Sequence, residues 1–185
     1  ERDHGYVASR DSFLQMLGSD IFGPENFDNM KIDRMGYRFR PADGTHRDGQ
    51  KFVFGKTEVE VMHLPGHTPG HSGFAFYREG FIFSGDIDLE PFGPWYGNVK
   101  SSVDEFLESL ERLRQLGPDF LITGHSPEPF TSGIAKLLDD YRDVIFRREE
   151  EIVRLLHAGK RTIMEIAAEQ PVFQGHPKRI FVFEY

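Results

Sequence analysis

Three times in this chain a short apolar run ends in a glycine-punctuated turn that carries a histidine or an aspartate. Residues 61–64 lead into Pro65-Gly66-His67-Thr68-Pro69-Gly70-His71-Ser72, residues 81–83 into Ser84-Gly85-Asp86, and residues 120–122 into Thr123-Gly124-His125. β-rich runs that finish in tight loops, each presenting an imidazole or a carboxylate, are what a metal site at the rim of a sheet requires. The glycines let the backbone turn sharply beside the candidate ligand, where a Cβ would hinder it. The chain has no cysteine, so disulfides, iron–sulfur clusters and thiolate zinc sites drop out. Any metal must be held by imidazole and carboxylate, and two imidazoles with a carboxylate on successive loop ends suit zinc, iron or manganese.

The rest of the chain supplies a frame for these loops. Residues 51–54 and 57–63 read as strands joined through Gly55-Lys56, and residues 73–77 and 81–84 as a second hairpin around Arg78-Glu79-Gly80. Ser102-Val103-Asp104-Glu105 is a capping box, followed by apolar Phe106, Leu107, Leu110, Leu113 and Leu116 and stopped by Gly117-Pro118. The strand over 119–123 then delivers His125, and strand–helix–strand order implies a helix packed on the sheet. A long amphipathic helix is predicted over 132–157, its stripe formed by Ile134, Leu137, Leu138, Tyr141, Ile145, Ile152, Leu155 and Leu156. Arg147-Arg148-Glu149-Glu150-Glu151 reads as its solvated face. Thr162 to Glu165 is a second capping box before a short helix closed by Pro171. Toward the start, a helix over 7–17 and a short strand near 37–39 are expected, with Arg34, Arg38, Arg40 and His46 on a solvated face. The aromatic, Pro/Gly-rich run of residues 91–97 either walls a cleft beside Asp86 or tucks its rings onto the core.

Composition limits the partners. At 185 residues, 38% hydrophobic and 28% charged, the chain has the balance of one globular domain with a sizeable core. Its 18 phenylalanines point to a well-filled core or an aromatic-lined pocket. A net charge of -8 argues against nucleic acid, whose phosphates need surplus Lys and Arg. No apolar stretch reaches membrane-spanning length and no signal-peptide pattern opens the chain, so a cytoplasmic location without a membrane is the default. A small-molecule substrate is the expected partner, and a homodimer stays open.

HTPGH at 67–71, SGD at 84–86 and TGH at 123–125, in that order, resemble the later motifs of the metallo-β-lactamase superfamily. The resemblance covers most of the chain to about residue 129. It implies an α/β (α+β) fold, an αββα sandwich incomplete at the N-terminus, over residues 1–130, with a helical C-terminal extension over 131–185. It implies metal ligands at His67, Asp86 and His125, with Asp86 bridging two divalent ions, zinc first and iron or manganese as alternatives. The family's first motif is H-x-H-x-D-H, and its tail appears as Glu1-Arg2-Asp3-His4. Asp3 and His4 would complete the second ion's shell, and Glu1 stands where the second histidine is expected. His71 would orient a ligand or the turn through its ring N–H, and Asp88 is a spare carboxylate. His63 reads as a hydrogen-bonded structural residue, and His157 and His176 as surface residues.

The chemistry this implies is electrostatic. Two dications roughly 3.5–4 Å apart depress the pKa of a shared water toward neutrality. The resulting metal-bound hydroxide attacks an ester, thioester, lactone or similar carbonyl, with Asp3 and Asp86 as the carboxylates of the catalytic centre. Asp86 resembles the carboxylate of the glyoxalase II and lactonase branches rather than a true β-lactamase. Two departures matter: Gly93-Pro94-Trp95-Tyr96 stands where glyoxalase II carries a glutathione-gripping lysine, and Ser126-Pro127 follows His125 in place of its tyrosine. Glu1 instead resembles the H-x-E-x-D-H form of flavodiiron reductases. A non-haem diiron redox protein and a metal-poor interaction domain are therefore the alternatives to a metal-dependent hydrolase.

Overall fold

A two-residue turn at Gly55-Lys56 opens the sheet. In the computed structural model, β1 (Lys51–Phe54) pairs antiparallel with β2 (Thr57–His63), with Phe54 opposite Thr57. Gly55 takes φ 65°, the left-handed conformation such a tight hairpin demands. β3 (Ser72–Phe76) and β4 (Phe81–Phe83) extend the antiparallel meander. After α1 (Val103–Leu116), β5 (Phe120–Ile122) joins parallel to β4, giving the order β1-β2-β3-β4-β5. The structure describes residues 43–97, 100–160 and 162–172, and from His46 onward these form one compact unit.

The helices follow their caps. Ser102 accepts the amide of Glu105 at the start of α1, and Gly117 ends it with φ 56°. α2 (Ile134–His157) is the long helix, and α3 (Ile163–Ala167) follows it. Before α3 the capping box is reciprocal: Thr162 N–H donates to Glu165 Oε2 at 3.0 Å, and Glu165 N–H to Thr162 Oγ1 at 3.2 Å.

The two faces of the sheet differ. Ala75, Ile82 and Leu121 share one face by register and pack with Phe106, Leu110 and Leu113 of α1 and Leu138 and Tyr141 of α2. The opposite face carries the rows Phe74–Phe83–Ile122 and Phe76–Phe81–Phe120. Phe76 and Phe81 stack there with ring centroids 4.3 Å apart. Phe74, Phe76, Phe81, Phe83 and Phe120 thus share one pleated face, where cross-strand aromatic pairs are favourable.

Two positions of α2 depart from the expected pattern. Leu156, placed in the apolar stripe, is exposed, because in the last turn of α2 its neighbour Leu155 takes the inward position. Arg148, placed on the solvated face, is only 5% exposed. It continues the inward spacing Tyr141, Ile145, Arg148, and its charge finds backbone carbonyls there, as described below. The expected helix over 7–17, the strand near 37–39, the arginines at 34, 38 and 40, and His176 lie outside the described residues. Among the described residues no helix is long and apolar enough to cross a membrane.

Candidate metal centre

The turn after β2 is fastened to the start of α1. Leu64 N–H donates to His71 O at 3.0 Å, closing the turn on itself. Gly66 takes φ 124° with its α-carbon against the backbone of Phe106, where an added Cβ would lie 2.3 Å from Phe106 Cα. Gly66 O accepts Ser102 N–H at 2.9 Å, Ser101 Oγ donates to His67 O at 2.8 Å, and Ser109 Oγ to Pro65 O at 2.7 Å. A segment without regular structure is thereby held by hydrogen bonds from three serines and a contact that only glycine permits.

β4 and β5 run parallel, so the loops that leave them emerge at one edge. Their pairing continues past the strands: Ser84 N–H donates to Ile122 O at 2.9 Å and Gly124 N–H to Gly85 O at 2.8 Å. That places His125 beside Asp86, with His125 Nε2 3.1 Å from Asp86 Oδ1. His67 Nε2 reaches the other carboxylate oxygen, Oδ2, at 3.4 Å. The three residues read from the sequence as ligands therefore meet on one carboxylate.

Each histidine of the HTPGH turn is orientated from behind. His67 donates Nδ1–H to Trp95 O at 2.9 Å, since a carbonyl can only accept. In the neutral ring Nε2 then carries a lone pair facing Asp86. His71 donates Nδ1–H to Leu64 O at 2.7 Å and accepts Asp86 N–H on Nε2 at 3.0 Å. Burial pushes the His71 pKa down, which keeps this neutral tautomer in place. His71 thus orients Asp86 through its backbone, in keeping with the orienting role read from the sequence. His63 is structural as expected, with Nε2 donating to Pro69 O at 2.8 Å. His46 and His157 are exposed.

A cleft of about 500 Å³ opens over the trio, lined also by Asp88, Glu90, Phe92, Gly93 and Trp95. The run 91–97 both walls this cleft and buries part of itself, Pro94 being fully enclosed. Asp88 Oδ1 accepts Tyr141 Oη–H at 2.9 Å and Glu90 N–H at 3.2 Å. Burial, then the Asp88 charge, push the Tyr141 phenol far above its ordinary value. Arg148 donates Nη1–H to Pro94 O and Nη2–H to Phe92 O, both at 2.7 Å.

The donor set fits a divalent cation. When the His67 ring is neutral, its Nε2 and an Asp86 carboxylate oxygen 3.4 Å apart set two lone pairs against each other, an arrangement a cation between them relieves. Imidazole nitrogen with carboxylate oxygen is a borderline set that zinc, iron and manganese accept. Among the described residues no group of three or more His, Asp or Glu is arranged to hold a metal ion by itself. Glu1, Asp3 and His4, expected as further ligands, lie outside the described residues. Sequence reasoning left Asp88 spare and missed Glu90, the Trp95 carbonyl and Arg148. The inward spacing from Tyr141 to Arg148 was a usable signal for the last, whereas a carbonyl belongs to every residue and marks none.

Known proteins resemble this chain along most of its length. A family model described as the metallo-beta-lactamase superfamily matches residues 3–125. A hydroxyacylglutathione hydrolase of Bartonella henselae is 26% identical over 178 residues, covering 95% of this chain and 63% of that protein. A hydroxyacylglutathione hydrolase of Methylococcus capsulatus is 26% identical over 136 residues, covering 72% of this chain and 52% of its own length. The chain thus spans between about half and two thirds of these relatives. The crystal structure of a metallo-beta-lactamase family protein from Thermus thermophilus superposes with a TM-score of 0.67 at 22% identity, covering 93% of this chain and 59% of that one. That likeness establishes the fold, a mixed sheet with helices.

Proposed function

We propose that this chain, which belongs to the metallo-beta-lactamase superfamily, provides the metal-binding loops of a metal-dependent hydrolase acting on a small carbonyl substrate, a thioester first. One observation carries the reading: the Nε2 atoms of His67 and His125 approach different oxygens of one carboxylate, Asp86, at 3.4 and 3.1 Å on the floor of an open cleft. His67, Asp86 and His125 would hold divalent metal from this side, with Glu1, Asp3 and His4 completing the shell. A divalent pair so held, when bound, supplies Lewis acidity and lowers the pKa of water.

The chain's own residues account for the rest. Trp95 O and Leu64 O keep the two imidazoles of the turn in their Nδ1–H tautomers, and His71 holds the backbone of Asp86. Asp86, Asp88 and Glu90 make the cleft negative, which draws in divalent cations. Phe92 and Trp95 give it an apolar wall against which an acyl chain can lie. The thioester class is supported by the relatives, which are named hydroxyacylglutathione hydrolases.

The test is metal content and turnover of acyl thioesters, p-nitrophenyl esters and lactones with zinc, iron or manganese, in the chain and in Asp86→Ala. Turnover and about one to two metal ions per chain are expected, with both lost in the variant. Undiminished turnover in Asp86→Ala removes the reading.

A further inference from the structure

Arg148 contributes nothing directly to the His67–Asp86–His125 trio, yet it grips the segment that holds His67. Its guanidinium donates to the carbonyls of Phe92 and Pro94, both at 2.7 Å, from opposite arms of the fork. Its faces are covered by aromatic rings, 4.7 Å from the Phe92 centroid and 5.4 Å from that of Tyr96. The next carbonyl along, Trp95 O, takes the Nδ1–H of His67. The same side of α2 makes two more attachments to this loop. Tyr141 Oη–H reaches Asp88, and Gly93 lies so close to Val144 that a Cβ there would stand 2.4 Å from Val144 Cγ1. Tyr141, Val144 and Arg148 are spaced three and four residues apart, which puts them on one side of a helix.

We infer that Arg148 is a positioning residue for His67. By fixing Phe92 O and Pro94 O it sets the carbonyl of Trp95 where it captures Nδ1–H, leaving Nε2 unprotonated and aimed at Asp86. Burying a guanidinium among carbonyls is a costly way merely to fill space. A planar fork that spans two carbonyls two residues apart, however, sets a loop's path in a way a single-point lysine does not. The consequence for metal rests on the function proposed above; the ring tautomer does not.

The tautomer is read in the metal-free chain by ¹⁵N ring spectroscopy of its histidines in alkaline buffer. In the wild type His67 is expected as Nδ1–H. In Arg148→Met, and in Arg148→Lys, which retains charge and stem should the first fail to fold, the Nδ1–H form of His67 gives way to Nε2–H. His71, held by Leu64 and Asp86, stays Nδ1–H in both as an internal control. Cobalt affinity falls about tenfold in Arg148→Met, the scale of losing a ligand's orienting partner, and falls in the lysine variant in step with its loss of the Nδ1–H ring. An Nε2–H ring in the wild type overturns the inference, as does an unchanged Nδ1–H ring in either folded variant. If His67→Ala binds cobalt as tightly as the wild type, the metal reading fails while the tautomer still decides the role of Arg148.

Discussion

Asp86 donates its backbone N–H to the buried Nε2 of His71 at 3.0 Å, so the residue whose carboxylate joins two imidazoles is anchored from behind by a third. That relationship ties the second loop of the site to the first. It also leaves His71 held at both ring nitrogens by backbone groups, Leu64 O and Asp86 N–H.

His71→Ala is expected to destabilise the metal-free protein by about 2–3 kcal/mol, since it leaves Asp86 N–H and Leu64 O without their partner in a buried place. Urea unfolding monitored by circular dichroism measures this. An unchanged midpoint means that water replaces the ring and that the anchor is dispensable.

Gly66→Ala places a methyl against the Phe106 backbone, 2.3 Å from its Cα, at a φ of 124° that L-residues rarely adopt. The turn and α1 cannot both keep their positions. A loss of about 3 kcal/mol is expected, with loosening of the bond from Ser102 N–H to Gly66 O visible in amide exchange.

Tyr141→Phe removes the donor to Asp88 and little else, because the buried ring remains. A loss of about 1.5–3 kcal/mol is expected for a hydrogen bond to a charged acceptor. Since Asp88 retains Glu90 N–H, the lower end applies. Thermal unfolding of the two proteins side by side gives the answer.

Asp48 links the first hairpin to α1, accepting His63 N–H at 2.7 Å and Arg112 Nη1–H at 2.9 Å. Burial alone would raise its carboxyl, but the Arg112 guanidinium and the His63 amide outweigh that and hold it below its ordinary 3.8. A carboxylate depressed on folding stabilises above its unfolded pKa, and the contribution fades as pH falls through the folded value. Asp48→Asn is therefore less stable than the wild type at neutral pH by up to about 1 kcal/mol, the pair being largely exposed. The gap closes on acidification below 3.8. A gap that widens in acid contradicts the assignment.

Metal is expected to stabilise through the proposed ligands. At a hundred times the dissociation constant, zinc or cobalt adds about 2.7 kcal/mol to unfolding. His67→Ala and His125→Ala should each abolish most of that increment while changing the metal-free stability less. Chelator titration followed by calorimetry separates the two effects.

Much of this was legible because it is local. Ser102, Gly117 and the Thr162–Glu165 box mark helix ends through bonds to backbone within a turn, so their spacing alone reveals them. The strands announced themselves as β-rich runs and by the turn at Gly55. Arg148 was misread because a charged residue among Arg147, Glu149, Glu150 and Glu151 looks solvated. Only its place one turn beyond Val144, against a loop 54 residues earlier, reverses that.

By itself the sequence determined which side chains could ligate, since imidazole and carboxylate at glycine-bearing strand ends are properties of residues and their immediate neighbours. Tertiary structure alone decided that they meet: β5 lies parallel to β4, and that pairing brings His125 to Asp86 across 39 positions of chain. It also decided what aims them, because Trp95 O, Leu64 O and Arg148 act through backbone carbonyls. Every residue owns such a carbonyl, and only the fold can place one at an imidazole.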